Sequence, residues 1–175
     1  MRLALFTVAF VVSAAALPAQ FARARVRPPG FIVQVALDTL SVPEELDAPY
    51  GKVYTAVVAA FDEMKIPLDT RDSAVGVVGN LALRRAGNMS GSQMSRWLNC
   101  GMGMTGPNAD SWRTYVAVAA LLDRVSTTNK TRIRVAMIAG AQDMQGASKD
   151  AVPCASTGGI ESKVLELVKR KVGSS

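Results

Sequence analysis

The chain has 175 residues, of which 49% are hydrophobic and 19% are charged, and it carries a formal net charge of +6 at pH 7. This length predicts one domain with a sizeable core, and the composition excludes a disordered protein. The chain has no histidine and two cysteines. It therefore cannot form Ser-His-Asp or Cys-His nucleophile arrangements, imidazole or four-thiolate zinc sites, or iron–sulfur clusters from its own residues.

The first residues are typical of a secretory signal peptide. Arg2 precedes an apolar run from Leu3 to Ala16, and small residues follow, with plausible cleavage after Ala16 or Ala19. An uncleaved membrane anchor is the alternative, but the run is shorter than the roughly 20 residues that cross a bilayer. Residues 1–19 are therefore predicted to be removed. The mature protein is expected to be exported, to the periplasm or outside the cell, with no transmembrane span.

A basic stretch follows the leader. Residues 20–30 carry Arg23, Arg25 and Arg27 and end in two prolines and a glycine. This composition predicts a solvated, extended linker. A solubilising tail is the preferred interpretation, and contact of its arginines with the phosphates of anionic lipid or lipopolysaccharide is the alternative. A single α+β domain is expected over residues 31–175.

Hydrophobic periodicity assigns the first elements of this domain. A first strand is predicted over residues 31–37. Apolar residues at helical spacing predict an amphipathic helix with Asp47 as its N-cap and an end near Lys65. Alternating apolar residues predict a strand over 75–85, and a short helix is expected from Ser92.

Two long β-like runs, residues 112–125 and 131–141, are joined by a short polar connection and predict a β-hairpin. Paired positions that sum to 255 or 257 place Asp123 opposite Arg132 or Arg134. This is an ordinary cross-strand charge pair.

A second amphipathic helix, starting near Ser156 or Thr157, completes the predicted order β-α-β-(short α)-β-β-α. This order indicates an α+β fold in which an antiparallel sheet packs on amphipathic helices that lie on a single face.

The two cysteines, Cys100 and Cys154, are far apart in the sequence and lack C-x-x-C spacing. In an oxidising compartment they are predicted to form one structural disulfide. A redox-active pair and two free thiols are the alternatives.

Residues Gly101 to Gly106 match G-x-G-x-x-G letter for letter. The dinucleotide fingerprint requires that motif to follow a strand and open a helix, whereas here it follows a predicted helix and precedes Pro107. A structural loop beside the disulfide is the preferred interpretation, with glycines that allow positive φ.

No other cluster predicts a catalytic or metal site. Glu63, Asp69 and Asp72 are interleaved with Lys65 and Arg71, which favours neutralised surface charge over a glycosidase acid–base pair. The acidic loop over residues 38–47 lacks the spacing of a calcium loop. The serines lack S-x-x-K and G-x-S-x-G frames. Basic residues without aromatic interleaving do not predict nucleic-acid binding. No catalytic residue, cofactor or metal ligand is predicted.

Residues 50–87 combine an aromatic-led helix, a short turn with the sequence I-P-L-D, an Asp-rich bend and a glycine-containing strand. This segment, with the element order of the rest, resembles the helix-grip domains of BamC, an accessory lipoprotein of the outer-membrane β-barrel assembly machinery. The chain has no lipid-anchoring cysteine near its predicted cleavage site and holds one such domain, where that lipoprotein has two. The resemblance implies a helix-grip fold and a non-catalytic binding role.

These observations lead to a functional expectation. The chain is expected to be an exported, non-enzymatic domain that binds an envelope protein or an anionic envelope component. A carrier of a small apolar ligand is the alternative, with a cavity between helix and sheet beside hairpin alanines (Ala117, Ala119, Ala120, Ala136 and Ala139). A histidine-free hydrolase is a minor alternative.

Overall fold

The structure, a computed structural model, describes residues 24–126, 128–146 and 150–173. The predicted signal peptide over residues 1–19 lies outside these ranges, as does Arg23. The described chain is an α+β fold built on an antiparallel sheet, which confirms the predicted class.

Three α-helices and thirteen strands are found in the described ranges. The helices are α1 (Tyr50–Glu63), α2 (Asn108–Ser111) and α3 (Gly159–Gly173). The strands are β1 (Arg25–Val26), β2 (Val35–Ala36), β3 (Glu44–Leu46), β4 (Thr70–Asp72), β5 (Val77–Ala86), β6 (Asn88–Met89), β7 (Ser92–Gln93), β8 (Leu98–Asn99), β9 (Met102–Gly103), β10 (Gly106–Pro107), β11 (Arg113–Arg124), β12 (Thr131–Gln142) and β13 (Ala151–Ser156). The main sheet has the order β4–β5–β11–β12–β13–β8, and β3 also pairs with β12. The other strands form three two-stranded ribbons, β1–β2, β6–β7 and β9–β10.

The long hairpin β11–β12 is the centre of the main sheet, and it confirms the predicted hairpin. Arg113 pairs with Gln142 and Asp123 with Arg132, which is the register with positions summing to 255. The ion pair of Asp123 is nevertheless made with Arg134, two residues further along the same face, at 3.7 Å. Arg132 pairs with Glu45 of β3 instead, at 3.0 Å.

The two long helices pack on one face of the sheet, called here the helix face. Val118, Ala120 and Leu122 of β11 belong to this core. The buried residues that the helices contribute are Val53, Ala56, Val57, Ala60 and Phe61 of α1 and Ile160, Val164, Leu167 and Val168 of α3. Salt bridges from Glu63 to Arg170 and Lys171 then join the end of α1 to the end of α3.

The opposite face of the sheet is covered by residues 24–40, called here the N-terminal strap. Ala24 and Val26 are 7% and 9% exposed and pack with Leu37 against the sheet. The sequence predicts a solvated linker here, followed by a first strand over 31–37. Instead, β1 pairs with the short β2, and the strand at Val35–Ala36 gives way to a 3-10 turn over Leu37–Thr39. The difference arises because β11 and β12 are apolar on both faces, so the second face must also be covered.

Two local predictions are wrong. Asp47 does not cap α1: the residue before the helix is Pro49, and no side chain caps the first turn. The short helix expected from Ser92 is instead the strand β7 followed by a 3-10 turn over Met94–Arg96. This turn still places Trp97 in the core, where its indole N–H donates a hydrogen bond to the carbonyl of Met89.

Candidate functional site

A groove of about 370 Å³ lies where the N-terminal strap crosses the beginning of β11. It is called here the arginine groove. Its lining residues are Arg25, Val26, Arg27, Pro28 and Pro29 of the strap, Leu81, Ala82 and Arg84 of β5, and Tyr115 and Val116 of β11.

The strap places two arginines in this groove through a period-two pattern. Ala24, Val26 and Pro28 are buried, and Arg25 and Arg27 between them are exposed. The β1–β2 pairing makes this alternation regular, since successive side chains of a strand point to opposite sides. Burial of the apolar residues therefore directs both guanidinium groups away from the core.

A β-bulge in β5 shapes the other wall. Val116 pairs with Leu83 and Val118 with Asn80, so two residues of β5 stand opposite the single residue Ala117. Beyond the bulge, Arg84 lies opposite Tyr115.

The Arg84 guanidinium lies 5.8 Å from the centre of the Tyr115 ring. This distance is within the range of a cation–π contact, and it orients the Arg84 side chain beside the strap.

Among the described residues, the charged side chains that line the arginine groove are all positive: Arg25, Arg27 and Arg84. The carboxylate of Asp69 lies beside the groove, where it accepts hydrogen bonds from the amide of the lining residue Leu81. Within the described part of the chain, none of the three forms a salt bridge. Guanidinium groups bind carboxylates and phosphates through charge-assisted, often bidentate hydrogen bonds. The arrangement of three guanidinium groups therefore suits anion binding.

A second groove, of about 540 Å³, lies between the end of α1, the β6–β7 turn and α3. Its lining mixes charges of both signs, with the carboxylates of Glu63 and Glu166 beside Lys65, Arg96 and Lys163. Lys163 pairs with Glu166 at 2.9 Å, and hydrogen bonds from Lys171 and Arg170 hold the pKa of Glu63 below its usual value. Since two carboxylates line this groove, it is a weaker candidate for an anionic ligand than the arginine groove.

The predicted disulfide is confirmed. Cys100 and Cys154 are bonded and are only 6% and 4% exposed. The bond attaches the segment after β8 to β13, on the helix face of the sheet. This pairing replaces the alternative of two free thiols.

The glycine-rich loop over residues 101–106 is a structural loop next to that disulfide, as predicted. It forms the β9–β10 ribbon, with Gly101 at φ 80° and Gly106 at φ 120°. Asn108 donates a hydrogen bond to the carbonyl of Cys100, and a Cβ atom at Gly103 would lie 2.7 Å from the Asn108 side-chain oxygen.

The carboxylates that crowd the turn between α1 and β5 in the sequence have separate structural roles. Asp69 accepts hydrogen bonds from the amide of Leu81, and Asp72 accepts them from the amides of Ala74 and Val75. In the described ranges, no group of three potential metal-ligating residues converges.

The alanines expected to line a ligand cavity do not share one face. Ala117, Ala119 and Ala136 lie under the strap, whereas Ala120 and Ala139 lie under the helices. All five are at most 1% exposed. They therefore allow close packing of both layers, and this placement gives no support to an apolar cavity between helix and sheet.

No protein-family model matches the chain, and no curated protein matches it. In the part of the chain that the structure describes, no helix has the length and apolar character needed to cross a membrane. The geometry of the arginine groove is therefore the main basis for a functional proposal.

Proposed function

We propose that this chain is an exported, non-catalytic binding domain of the cell envelope that holds an anionic partner in the arginine groove. The observation that carries the proposal is the convergence of Arg25, Arg27 and Arg84 on one groove whose charged lining residues, among those described, are all positive. All three arginines are exposed, so a single ion pair with an anionic partner would contribute about 0.2–1 kcal/mol, and a bidentate contact would contribute more. Binding in this groove would therefore depend on several such contacts acting together.

Two further features support this proposal. The Cys100–Cys154 disulfide is compatible with an oxidising compartment outside the cytoplasm. The resemblance to BamC also implies a binding role in the envelope, and we retain that role as part of the proposal.

The test is a binding titration with two anionic probes, a glutamate-rich peptide and vesicles that contain phosphatidylglycerol. We expect at least one probe to bind, and binding to weaken between about 50 and 200 mM salt because the contacts are ionic. The double substitution Arg27→Glu/Arg84→Glu should weaken it by about tenfold or more, as expected for the loss of charged hydrogen bonds.

Arg71→Glu is the matched control. Arg71 is an exposed arginine of β4 that pairs with Val78, and it does not line the groove. It changes the net charge by the same amount as the single substitution Arg84→Glu, so a general charge effect would weaken binding equally in these two single variants. Equal losses in both variants, or no binding of either probe, would contradict the proposal.

A further inference from the structure

The arginine groove lies beside a part of β5 whose outer edge is not paired. β4 covers only Val77–Gly79 of this strand. The amide of Leu81 is taken by the carboxylate of Asp69. From Ala82 to Ala86, no strand of the described chain lies alongside the outer edge. Four steps of an extended chain make this edge about 13 Å long.

The direction of the backbone groups on this edge follows from the ladder. Asp69 donates its amide to the carbonyl of Gly79, so the backbone of Gly79 faces the outer edge. Gly79 pairs with Ala119, and Arg84 pairs with Tyr115. β11 is regular between Tyr115 and Ala119, which are four residues apart, so these two residues direct their backbone groups to the same side of β11. Arg84 therefore also presents its N–H and C=O groups outward.

Ala86 follows the same geometry, because it pairs with Arg113, which is two residues from Tyr115. Among the described residues, no backbone hydrogen bond reaches the outer N–H of Arg84 or Ala86. An exposed strand edge of this kind is a template for an added strand.

The charges beside the edge select the kind of strand. Arg25, Arg27 and Arg84 lie in the groove along it. A second copy of this edge would bring arginines against arginines, which is repulsive. A strand with acidic side chains would pair its backbone with β5 and its carboxylates with the guanidinium groups. The carbonyl of Arg84 already accepts a hydrogen bond from the Arg85 guanidinium at 3.2 Å, so the edge groups left for a strand are the outer N–H of Arg84 and both outer groups of Ala86. A lipid phosphate, by contrast, offers acceptors only and cannot pair with the outward carbonyl of Ala86.

We infer that residues 82–86 of β5 bind an extended acidic peptide segment as an added strand, with its carboxylates held by the arginines of the groove. This inference rests on the proposed function and specifies the anionic partner as a protein segment.

The first test compares two peptides of the same composition, both alternating glutamate and valine over eight residues. One contains only L residues, and the other has two adjacent D residues at its centre, so that it keeps its charge but cannot continue a regular strand through its centre. We expect the L peptide to bind about tenfold more tightly. Amide hydrogen exchange of Arg84 and Ala86 in the wild-type protein should slow when the L peptide is added.

The second test removes one edge donor without changing the charge. Ala86→Pro deletes an outward N–H at a position where an edge strand tolerates proline. It should abolish most of the preference for the L peptide, while Ala86→Ser keeps it. The exchange measurement needs no variant, so it remains decisive if Ala86→Pro does not fold.

The outcomes separate this inference from the proposed function. If the two peptides bind equally and the arginine substitutions weaken both, the strand inference is overturned and the proposed function stands. Binding of phosphatidylglycerol vesicles without peptide binding would likewise overturn the strand inference alone. If neither peptides nor vesicles bind, both are overturned.

Discussion

A Cβ atom added to Gly140 would overlap the carbonyl oxygen of Pro29. Gly140 lies in β12, between Tyr115 of β11 and Pro153 of β13. The N-terminal strap therefore lies directly on the backbone of the sheet at this point. The strap also carries Arg25 and Arg27 and forms one wall of the arginine groove, so the position of that wall depends on this contact.

Gly140→Ala should destabilise the fold and weaken anion binding together. The added methyl group meets backbone atoms, which cannot rotate away, so we expect a loss of about 2–3 kcal/mol in the free energy of unfolding. Urea denaturation measures the loss of stability, and titration with whichever anionic probe binds the wild-type protein measures the loss of binding.

Gly51→Ala is the control for this substitution. Gly51 lies in the first turn of α1, and nothing is within 4 Å of its Cβ position. Alanine should therefore stabilise the protein by about 0.5 kcal/mol through helix propensity and leave binding unchanged. A similar loss in both variants would show that the Pro29 contact is unimportant.

Lys65→Gly should stabilise the protein. Lys65 has φ 55° and follows the end of α1, where Ile66 donates its amide to Phe61 and Lys65 donates its own to Asp62. This is the Schellman geometry, in which glycine is the preferred residue because it has no Cβ. We expect a gain of up to about 1 kcal/mol in the free energy of unfolding. Lys65→Ala keeps the Cβ and should give no comparable gain.

Removing the disulfide should lower stability without removing the groove. In the chain-entropy model, a bridge that closes a loop of this size contributes about 4 kcal/mol at most, and measured losses are typically about 2–4 kcal/mol. The Cys100→Ser/Cys154→Ser variant should lose this amount in urea denaturation.

Reductant provides the check on that variant. It should destabilise the wild-type protein to a similar extent and leave the variant unchanged. Because the bond lies on the helix face, anion binding by the folded variant should be retained. Loss of binding in a folded variant would contradict the separation of the two faces.

Tyr50 should make stability depend on pH in the alkaline range. Burial raises the pKa of Tyr50 above its usual value of 10.0, with the Arg124 guanidinium acting in the opposite direction. The phenol donates a 2.7 Å hydrogen bond to the carbonyl of Ser73. Since the pKa is higher in the folded state, this contribution is present below pH 10 and is lost as pH rises through the folded pKa.

The measurement is the free energy of unfolding from pH 8 to above pH 10 for the wild-type protein and for Tyr50→Phe. We expect the decline above pH 10 to be shallower in Tyr50→Phe. An unchanged slope in Tyr50→Phe would exclude Tyr50 as the group responsible.

The central hairpin and the two long helices could be predicted because their signals are local. The alternating or helical spacing of apolar residues in β5, α1 and α3 determines the element type directly. The short polar connection limits the register of β11 with β12 to two possibilities, with paired positions summing to 255 or 257, and the structure has the first.

The strap could not be predicted in the same way because its local signals conflict. The alternation of Ala24, Val26 and Pro28 with Arg25 and Arg27 is a strand pattern, but the arginines and prolines favour a linker. The signal that decides between them is distant in the chain: the unbroken apolar stretches of β11 and β12 indicate a sheet covered on both faces.

The arginine groove itself could not be predicted from the sequence. It depends on a bulge opposite Ala117 and on contacts between residues far apart in the chain. Arg84 and Tyr115 become neighbours only through strand pairing, and no local pattern places the strap across them.

The contact between Pro29 and Gly140 joins residues more than a hundred positions apart. During synthesis from the N-terminus, the strap and its arginines are therefore made well before the strands β11 and β12 on which the strap packs. Contacts of such long sequence separation form slowly. We expect the amide of Leu37, which bonds the carbonyl of Ala24 within the strap, to gain protection after the β11–β12 hairpin in pulse-labelled refolding. The arginine groove would then be assembled late, so an incompletely folded chain would not yet bind the anionic partner that we propose.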